Sequence, residues 1–191
     1  MGNIKLKVYN TQRISDEEAL QNFIARKKEF KVLISIIQET RTDGPSQHQL
    51  IIGQRGMGKT TLLKRLEVEL RQDPYNKRFI PLLFPEEQYN LDNLATFWLN
   101  CLDAIADIRD IQGAKNDVQE LDEEINHLVS MPNIKQRTEK AYRYFCHTTF
   151  NLGKIPVLLI DNIDFVFRRL NQEELHVLRA FLTEVRKEND R

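Results

Sequence analysis

Residues that cross-link a chain or bind zinc are scarce in this sequence of 191 residues. It contains two cysteines, Cys101 and Cys146, which are far apart and do not form a CxxC pair. The four histidines are scattered, without the spacing of metal ligands. A disulfide framework is therefore excluded, and nothing in the sequence predicts a zinc site. We expect two reduced thiols in a cytoplasmic protein.

The sequence also lacks a dominant charge and a long apolar run. Lys and Arg total 28, as do Asp and Glu, so no global field would draw the chain to nucleic acid or to an anionic membrane. No apolar stretch reaches the ~18 residues that a membrane-spanning helix needs. Residues 1–9 lack the apolar core of a secretory signal. We therefore expect no membrane partner.

A glycine-rich segment carries the strongest signal in the sequence. Residues 53–60 read GQRGMGKT and fit the phosphate-loop pattern, GxxxxGK followed by Ser or Thr, at every fixed position. Apolar residues 50–52 precede the segment and a helical pattern follows at 61–70, so we predict a strand, a loop and a helix in that order. The alternative is a glycine-rich turn before a surface helix.

The residue types in this segment predict how it would bind a nucleotide. Glycines allow backbone N–H groups to surround phosphate oxygens, and the start of a helix adds partial positive charge. Lys59 would contact the β- and γ-phosphates, and the hydroxyl of Thr60 would bind Mg²⁺. The predicted nucleotide contacts in this segment are Gly53, Gln54, Arg55, Gly56, Met57, Gly58, Lys59, Thr60 and Thr61.

A second polar motif follows the apolar run at residues 155–160 (IPVLLI), which predicts a buried parallel strand. The next four residues are DNID, and Asp161 stands first among them. A carboxylate at the tip of a buried strand requires a cation or hydrogen-bond donors. Near a phosphate loop that cation would be Mg²⁺, bound by Asp161 directly or through water. The alternative is an aspartate that caps the turn after the strand.

Hydrolysis would also need a residue that positions the attacking water. Asn162 follows Asp161 and cannot accept a proton, whereas Asp164 lies two residues further on. Glu86 and Glu87 are the other candidates, and for all three acids ordinary solvation in a loop is the alternative. The sequence supports ATP binding more firmly than turnover. The catalytic candidates are Lys59, Asp161, Asn162 and Asp164.

Residues 1–15 are predicted to form an N-terminal arm, because apolar and basic side chains alternate there. The nucleotide-binding domain is predicted to span residues 16–191. Its first helix, capped by Ser15, would break near residues 24–26, and a turn is predicted at residues 42–46.

Helices and strands are predicted to alternate through the remainder of the domain. Residues 79–84 (FIPLLF) predict a strand, at a sheet edge because it contains Pro81. A helix opening at residues 90–92 would place its aromatic stripe in the core. Residues 107–130 are charge-rich and predict a mobile loop or an exposed helix, and further helices are predicted up to residue 152 and from Asn171 onward. This order is typical of an α/β fold with a parallel sheet, which binds ligands at the carboxyl ends of its strands.

Three segments resemble the AAA+ and STAND branches of the P-loop ATPases, particularly relatives of origin-initiator ATPases. GQRGMGKTTLLKRL is similar to their Walker A segment, and VLLIDNID is similar to their Walker B segment. NFIARKKEF, at residues 22–30, resembles the element that begins the domain and covers the adenine. The resemblance implies a three-layer P-loop fold, ATP and Mg²⁺ as cofactors, and a base lined by Ile24 and Arg26. An amphipathic helix is the alternative for residues 22–30.

The resemblance also implies oligomers, or larger protein assemblies, with ATP at subunit interfaces, often on DNA or in a signalling complex. Arg168 and Arg169 would be trans-acting fingers, or simply the solvated start of a helix. The sequence departs from the family at Asn162, where active members carry glutamate, so we expect slow hydrolysis. It supplies one helix and a charged tail after Asp161, without a sensor strand or lid.

The sheet is therefore expected to be incomplete at the C-terminus, and the chain to be the N-terminal part of a longer ATPase. A sheet completed by residues 4–9 is the alternative. The predicted function is Mg-dependent ATP binding with slow hydrolysis, in a nucleotide-driven switch or assembly module. One alternative is a non-hydrolysing regulatory module with partner contacts at residues 107–130, and another is a small-molecule kinase. The sequence contains no helix-turn-helix pattern that would make the chain a DNA-binding protein in its own right.

Overall fold

The computed structural model describes residues 16–21, 23, 26–41, 47–84 and 91–183. The predictions for the arm, Ser15, Ile24, the turn at residues 42–46, Glu86, Glu87 and the charged tail lie outside these residues. Within the described ranges, helices and strands follow each other in the order expected of an α/β domain. The helices are α1 (Asp16–Gln21), α2 (Lys27–Glu39), α3 (Lys59–Leu70), α4 (Leu94–Ile111), α5 (Lys115–Ser130), α6 (Ile134–Asn151), α7 (Ile163–Arg169) and α8 (Gln172–Thr183). The strands are β1 (Phe79–Phe84) and β2 (Ile155–Ile160), and a short 3₁₀ helix (Tyr75–Lys77) precedes β1.

The two described strands form a parallel sheet, as predicted. Phe79 is paired with Ile155, and the register continues to Phe84 and Ile160 at the carboxyl ends. The N–H of Asp161 donates to the carbonyl of Phe84 at 2.9 Å, which extends the ladder by one residue. The carboxyl ends of the strands therefore meet at the edge where the sequence places its polar motif.

Helices cover both faces of the sheet. Side chains alternate along β1, so Ile80, Leu82 and Phe84 face one hydrophobic cluster while Phe79 and Leu83 face the other. The first cluster contains residues of α4, α6 and α8, and the second contains the apolar face of α3 and part of α2. This layered packing confirms the predicted three-layer α/β arrangement.

The burial of β2 differs from the prediction. All six residues of β1 are buried, whereas in β2 only Leu159 is buried and the others are half-buried. Among the described residues β2 has a strand neighbour on the β1 side alone, which leaves its other edge less covered. β1 is likewise paired on one side only in this sheet, in agreement with the edge position predicted from Pro81.

The predicted strand at residues 50–52 is absent from the described structure. This segment is irregular, and the side chains of Leu50 and Ile52 are 70% and 81% exposed. Ile51, which lies between them, packs against the cluster beside α3. Three apolar residues become a strand only when a neighbouring strand accepts their backbone hydrogen bonds, and none of the described strands does so here.

The N-terminal helix breaks where the sequence predicts a break. α1 ends at Gln21 and α2 begins at Lys27, after Arg26 with a left-handed backbone (φ 60°, ψ 27°). α1 is fastened to α3 by Asp16, whose carboxylate pairs with Lys64 at 3.2 Å and Arg71 at 2.7 Å. α3, which directly follows the glycine-rich loop, is therefore also linked to the N-terminal helix α1.

The aromatic stripe of α4 lies in the core, as predicted. α4 begins one turn later than expected, with Asn93 as the cap that accepts from the N–H of Thr96 at 3.0 Å. The side chain of Trp98 is 1% exposed and packs against rings from α6 and α8. Residues 107–111 end α4 and residues 115–130 form α5, with a turn between them, so the mobile-loop interpretation is wrong and the exposed-helix interpretation is correct.

Two helices follow β2 where the sequence predicts one. α7 begins after Asn162, and Leu170 and Asn171 separate it from α8. Asn171 and Glu174 form a reciprocal cap at the start of α8, because each side chain accepts from the other residue's N–H. The same Glu174 carboxylate accepts from the N–H of Leu94 at 2.9 Å, so it joins the starts of α4 and α8.

Candidate nucleotide-binding site

The glycine-rich loop, residues 53–58, leads directly into α3. Gly56 and Gly58 have φ angles of 83° and 73°, a left-handed conformation that glycine adopts without strain. Gly58 is the residue immediately before the first turn of α3. The first N–H groups of a helix have no acceptor within the helix, so those of Lys59 and Thr60 are available as donors beside the loop. Most of the loop is exposed, which leaves these donors accessible to a ligand.

The amine of Lys59 bends back over the loop. Its Nζ donates to the carbonyl of Gly53 at 2.8 Å and to that of Gln54 at 3.0 Å. The N–H of Gln54 is directed at the sulfur of Met57, with a distance of 3.2 Å to Sδ. The positive charge of Lys59 therefore lies against two carbonyl oxygens of the loop backbone.

Thr60 and Asp161 come together although they are 101 positions apart in the sequence. The hydroxyl of Thr60, on α3, donates to Oδ2 of Asp161 at 2.5 Å. Asp161 is 7% exposed, and its other oxygen accepts from the N–H of Asn162 at 3.1 Å. The structure therefore brings the two predicted magnesium ligands into direct contact at the carboxyl end of β2.

The other predicted catalytic residues lie further toward solvent. Asn162 is exposed and has a left-handed backbone (φ 51°, ψ 57°), and its carbonyl accepts from Phe165 at the start of α7. Asp164 is exposed in the first turn of α7. Among the hydrogen bonds of the described residues, none joins Asp164 to Thr60 or to Lys59.

Arg26 reaches the glycine-rich loop from the N-terminal segment. Its Nε donates to the carbonyl of Met57 at 2.6 Å, and its side chain is 12% exposed. Arg65 of α3 lies over the ring of Phe30 at 4.6 Å, which holds the start of α2 beside the loop. Sequence reasoning placed Arg26 at the base and did not identify its contact with the backbone of the loop. The only signal for this proximity was the resemblance of residues 22–30.

The match to a protein family agrees with this geometry. A family model described as the AAA ATPase domain matches residues 22–189. The chain belongs to the AAA ATPase domain family. No curated protein and no solved structure matches it. Membership supports nucleotide binding and ATPase activity in general terms.

The donor set of this AAA ATPase domain is compatible with magnesium. The described residues contain no group of three or more His, Cys, Asp and Glu side chains that could hold a metal ion. Mg²⁺ keeps several water ligands and is bound by one or two protein oxygens together with substrate phosphates. Thr60 and Asp161 supply two such oxygens within 2.5 Å of each other. The residues therefore fit a magnesium ion that arrives with a nucleotide.

Arg168 and Arg169, the two possible fingers of this AAA ATPase domain, are in the last turn of α7 and are exposed. The guanidinium of Arg169 lies 5.0 Å from the centre of the Phe165 ring on its own helix. Arg168 is therefore the better presented of the two toward a neighbouring molecule. No helix in the described part of the chain is long and apolar enough to cross a membrane.

Proposed function

We propose that this domain binds Mg·ATP at the glycine-rich loop, hydrolyses it slowly, and acts as a nucleotide-driven switch or assembly module. The hydrogen bond between Thr60 and Asp161 carries the proposal, because it joins the loop helix to the carboxyl end of β2. When bound, magnesium would supply charge neutralisation for the phosphates at these two oxygens. Lys59 would exchange its two loop carbonyls for phosphate oxygens.

The remaining nucleotide contacts follow from the loop. Backbone N–H groups at residues 56–61 would surround the phosphates, while the exposed side chains of Gln54, Arg55 and Met57 would line the entrance. Gly53 begins the loop, and Thr61 lies in the first turn of α3. The resemblance of residues 22–30 supports a base-binding position near Ile24 and Arg26.

Links between α8 and the segments that flank the candidate site support a switch. His48, in the segment before the loop, has its Nε2 3.0 Å from the carbonyl of Leu182 near the end of α8. The start of α8 is joined to α4 through Glu174. α7 connects Asp161 to α8 along the chain. α8 is therefore linked to the segment before the loop through His48 and to the end of β2 through α7.

Calorimetric titration with Mg·ATP tests the binding step. We expect saturable binding by the wild-type chain and none by Lys59→Ala, because the variant removes the positive charge above the loop. Lys135→Ala is a matched control, since Lys135 is exposed on α6. Equal binding by all three proteins, or no binding by a folded wild type, would contradict the proposal.

A non-hydrolysing regulatory module is the second candidate function, and the amide of Asn162 favours it. Steady-state ATPase assays separate the two candidates. Asn162→Asp introduces a carboxylate in a residue that tolerates a left-handed backbone, whereas Asn162→Glu would also strain the turn. A measurable wild-type rate that Lys59→Ala lacks supports slow hydrolysis. Background turnover with intact binding, and a gain in Asn162→Asp, supports the regulatory module.

We also propose that the domain works in a homo-oligomer or a larger protein assembly, which would engage DNA only through the complex. The exposed guanidinium of Arg168 supports this arrangement, because a trans-acting finger must reach a neighbouring subunit. Sedimentation with and without Mg·ATP checks it. An assembly that forms with nucleotide and fails to form in Arg168→Ala is the expected result, and a monomer under both conditions would contradict it.

A further inference from the structure

Arg26 has an unusual backbone for its residue type. It is one of two non-glycine residues with positive φ in the described part of the chain, and the other is Asn162. Such conformations are strained and persist where the surrounding structure enforces them, often at functional sites. The carbonyl of Arg26 accepts from the N–H of Phe30, and this bond begins α2. The strained position therefore fixes the point from which the Arg26 side chain leaves the backbone.

The guanidinium of Arg26 spans the glycine-rich loop. Its Nε donates to the Met57 carbonyl at 2.6 Å. Its Nη2 is 3.0 Å from the point that a Cβ on Gly53 would occupy, so any side chain at Gly53 would displace it. Its Nη1 is 3.9 Å from the carboxylate of Glu29, which orients the group from the other side. The guanidinium thus contacts the fifth residue of the loop and occupies the space beside the first.

The bond to the Met57 carbonyl orients a complete peptide unit. The C=O and N–H of a trans peptide point in opposite directions, and the Met57 carbonyl shares its peptide with the Gly58 N–H. Because the carbonyl is directed at Arg26, the Gly58 N–H is directed away from it. Gly58, with its positive φ angle, gives this peptide little intrinsic resistance to rotation on its C-terminal side. A rotated peptide would present a carbonyl oxygen where an anion needs a donor.

We propose that Arg26 is a positioning residue that holds the Met57–Gly58 peptide so that the Gly58 N–H faces the phosphates. This inference rests on the proposed function, because it requires phosphate in the loop. It assigns Arg26 an effect on phosphate affinity, whereas a residue lining the base would affect recognition of the base alone. The two roles predict different results with a ligand that has no base.

Titration with two ligands separates these roles. Arg26→Asn suits a left-handed backbone but is too short to reach Met57, so we expect it to weaken Mg·ATP and Mg·tripolyphosphate equally, by about tenfold. Arg26→Lys keeps the charge but has no Nε donor, and it should show the same loss. Lys28→Asn, an exposed neighbour on α2, is the control and should bind both ligands normally. Weakening of Mg·ATP alone, or of neither ligand, would overturn the positioning role.

A spectroscopic measurement on the protein without ligand tests the peptide itself. The dipeptide Met-Gly occurs twice in the sequence, at residues 1–2 and 57–58. Labelling methionine carbonyls with ¹³C and glycine nitrogens with ¹⁵N therefore selects the Gly58 N–H and one N-terminal signal. We expect Arg26→Asn to shift or broaden the Gly58 signal before any ligand is added, while Lys28→Asn leaves it in place.

The two experiments distinguish the failure of each proposal. An unmoved Gly58 signal in Arg26→Asn would overturn the positioning role even if nucleotide binding is intact. A folded wild type that binds neither Mg·ATP nor Mg·tripolyphosphate would overturn the proposed function, and the positioning role with it. A shifted Gly58 signal together with equal weakening of both ligands supports the positioning role.

Discussion

The hydroxyl of Thr60 donates to the carboxylate of Asp161, at 2.5 Å, in a domain where these residues are 101 positions apart. α3 supplies the donor and the end of β2 supplies the acceptor. The carboxylate is buried at the tip of a strand, where it would be destabilising without a donor or a cation. The hydroxyl stabilises the carboxylate in this structure, and a magnesium ion at the same two oxygens would do so in a nucleotide complex.

Replacement of the Thr60 hydroxyl is expected to remove the magnesium dependence of ATP binding. Thr60→Val keeps the shape of the side chain but loses the oxygen, so the ratio of ATP affinities with Mg²⁺ and with EDTA should fall by about tenfold or more. Thr60→Ser retains the oxygen and should keep most of the wild-type ratio. Fluorescence titrations with a labelled ATP measure both affinities. A normal ratio in Thr60→Val would show that this hydroxyl is not a magnesium ligand.

Asn162 is expected to matter for stability through its backbone. Its φ of 51° is tolerated by Asn and Gly but strained in Ala. Asn162→Ala should lower the free energy of unfolding by roughly 1 kcal/mol, whereas Asn162→Gly should stay close to wild type. Urea denaturation measures both changes. Equal destabilisation by the two variants would point to the side chain instead.

Asp16 is expected to make the docking of α1 depend on pH. Burial alone would raise the pKa of this carboxyl, but hydrogen bonds and charges from Lys64 and Arg71 outweigh it and hold the pKa below its usual 3.8. A lowered pKa in the folded state means that the stabilisation is complete above the unfolded value and is lost as pH falls through the folded value. Asp16→Asn should therefore be less stable than wild type at neutral pH, and the difference should begin to shrink near pH 3.8 and disappear below the lowered pKa of the folded state. Urea denaturation across the acid range measures it, and a difference that grows toward low pH would contradict the assignment.

Glu174 is expected to stabilise two helices at once. Its carboxylate accepts from the N–H groups of Leu94 and Asn171, so Glu174→Ala removes an acceptor from both helix starts. The free energy of unfolding should fall by about 1–2 kcal/mol, as for loss of a helix cap. Glu173→Ala is the control, because Glu173 is exposed in the same turn of α8. Similar losses in both variants would indicate a general effect of negative charge at the start of α8.

The sequence predicted the parts of this domain that depend on local pattern. The loop helix, the two parallel strands, the buried stripe of α4 and the break before α2 all follow from spacing, capping and periodicity. The meeting of Thr60 with Asp161 was also predicted, because both residues were assigned to one magnesium site, although the strand expected before the loop is absent from the described residues.

Features that depend on neighbours could not be predicted in this way. Leu50 and Ile52 are apolar but exposed. A strand at these residues would need a neighbouring strand to pair with, and the local sequence does not show whether one is present. Asn162 has a left-handed backbone and is followed directly by α7. The presence of an asparagine in the sequence does not reveal this backbone conformation or the helix start that follows it. The contact of Arg26 with Met57 spans 31 residues and depends on a strained backbone angle that no pattern encodes.

Trp98 gives this domain an intrinsic optical reporter. It is the only tryptophan in the sequence, and its ring lies 6.1 Å from that of Phe181 on α8. Among the described residues nothing accepts a hydrogen bond from its buried indole N–H, so emission from the folded protein should occur at short wavelength and respond to water entry. Because all indole fluorescence arises at this one position, a spectrum recorded during nucleotide addition would show directly, without a label, whether α8 separates from α4.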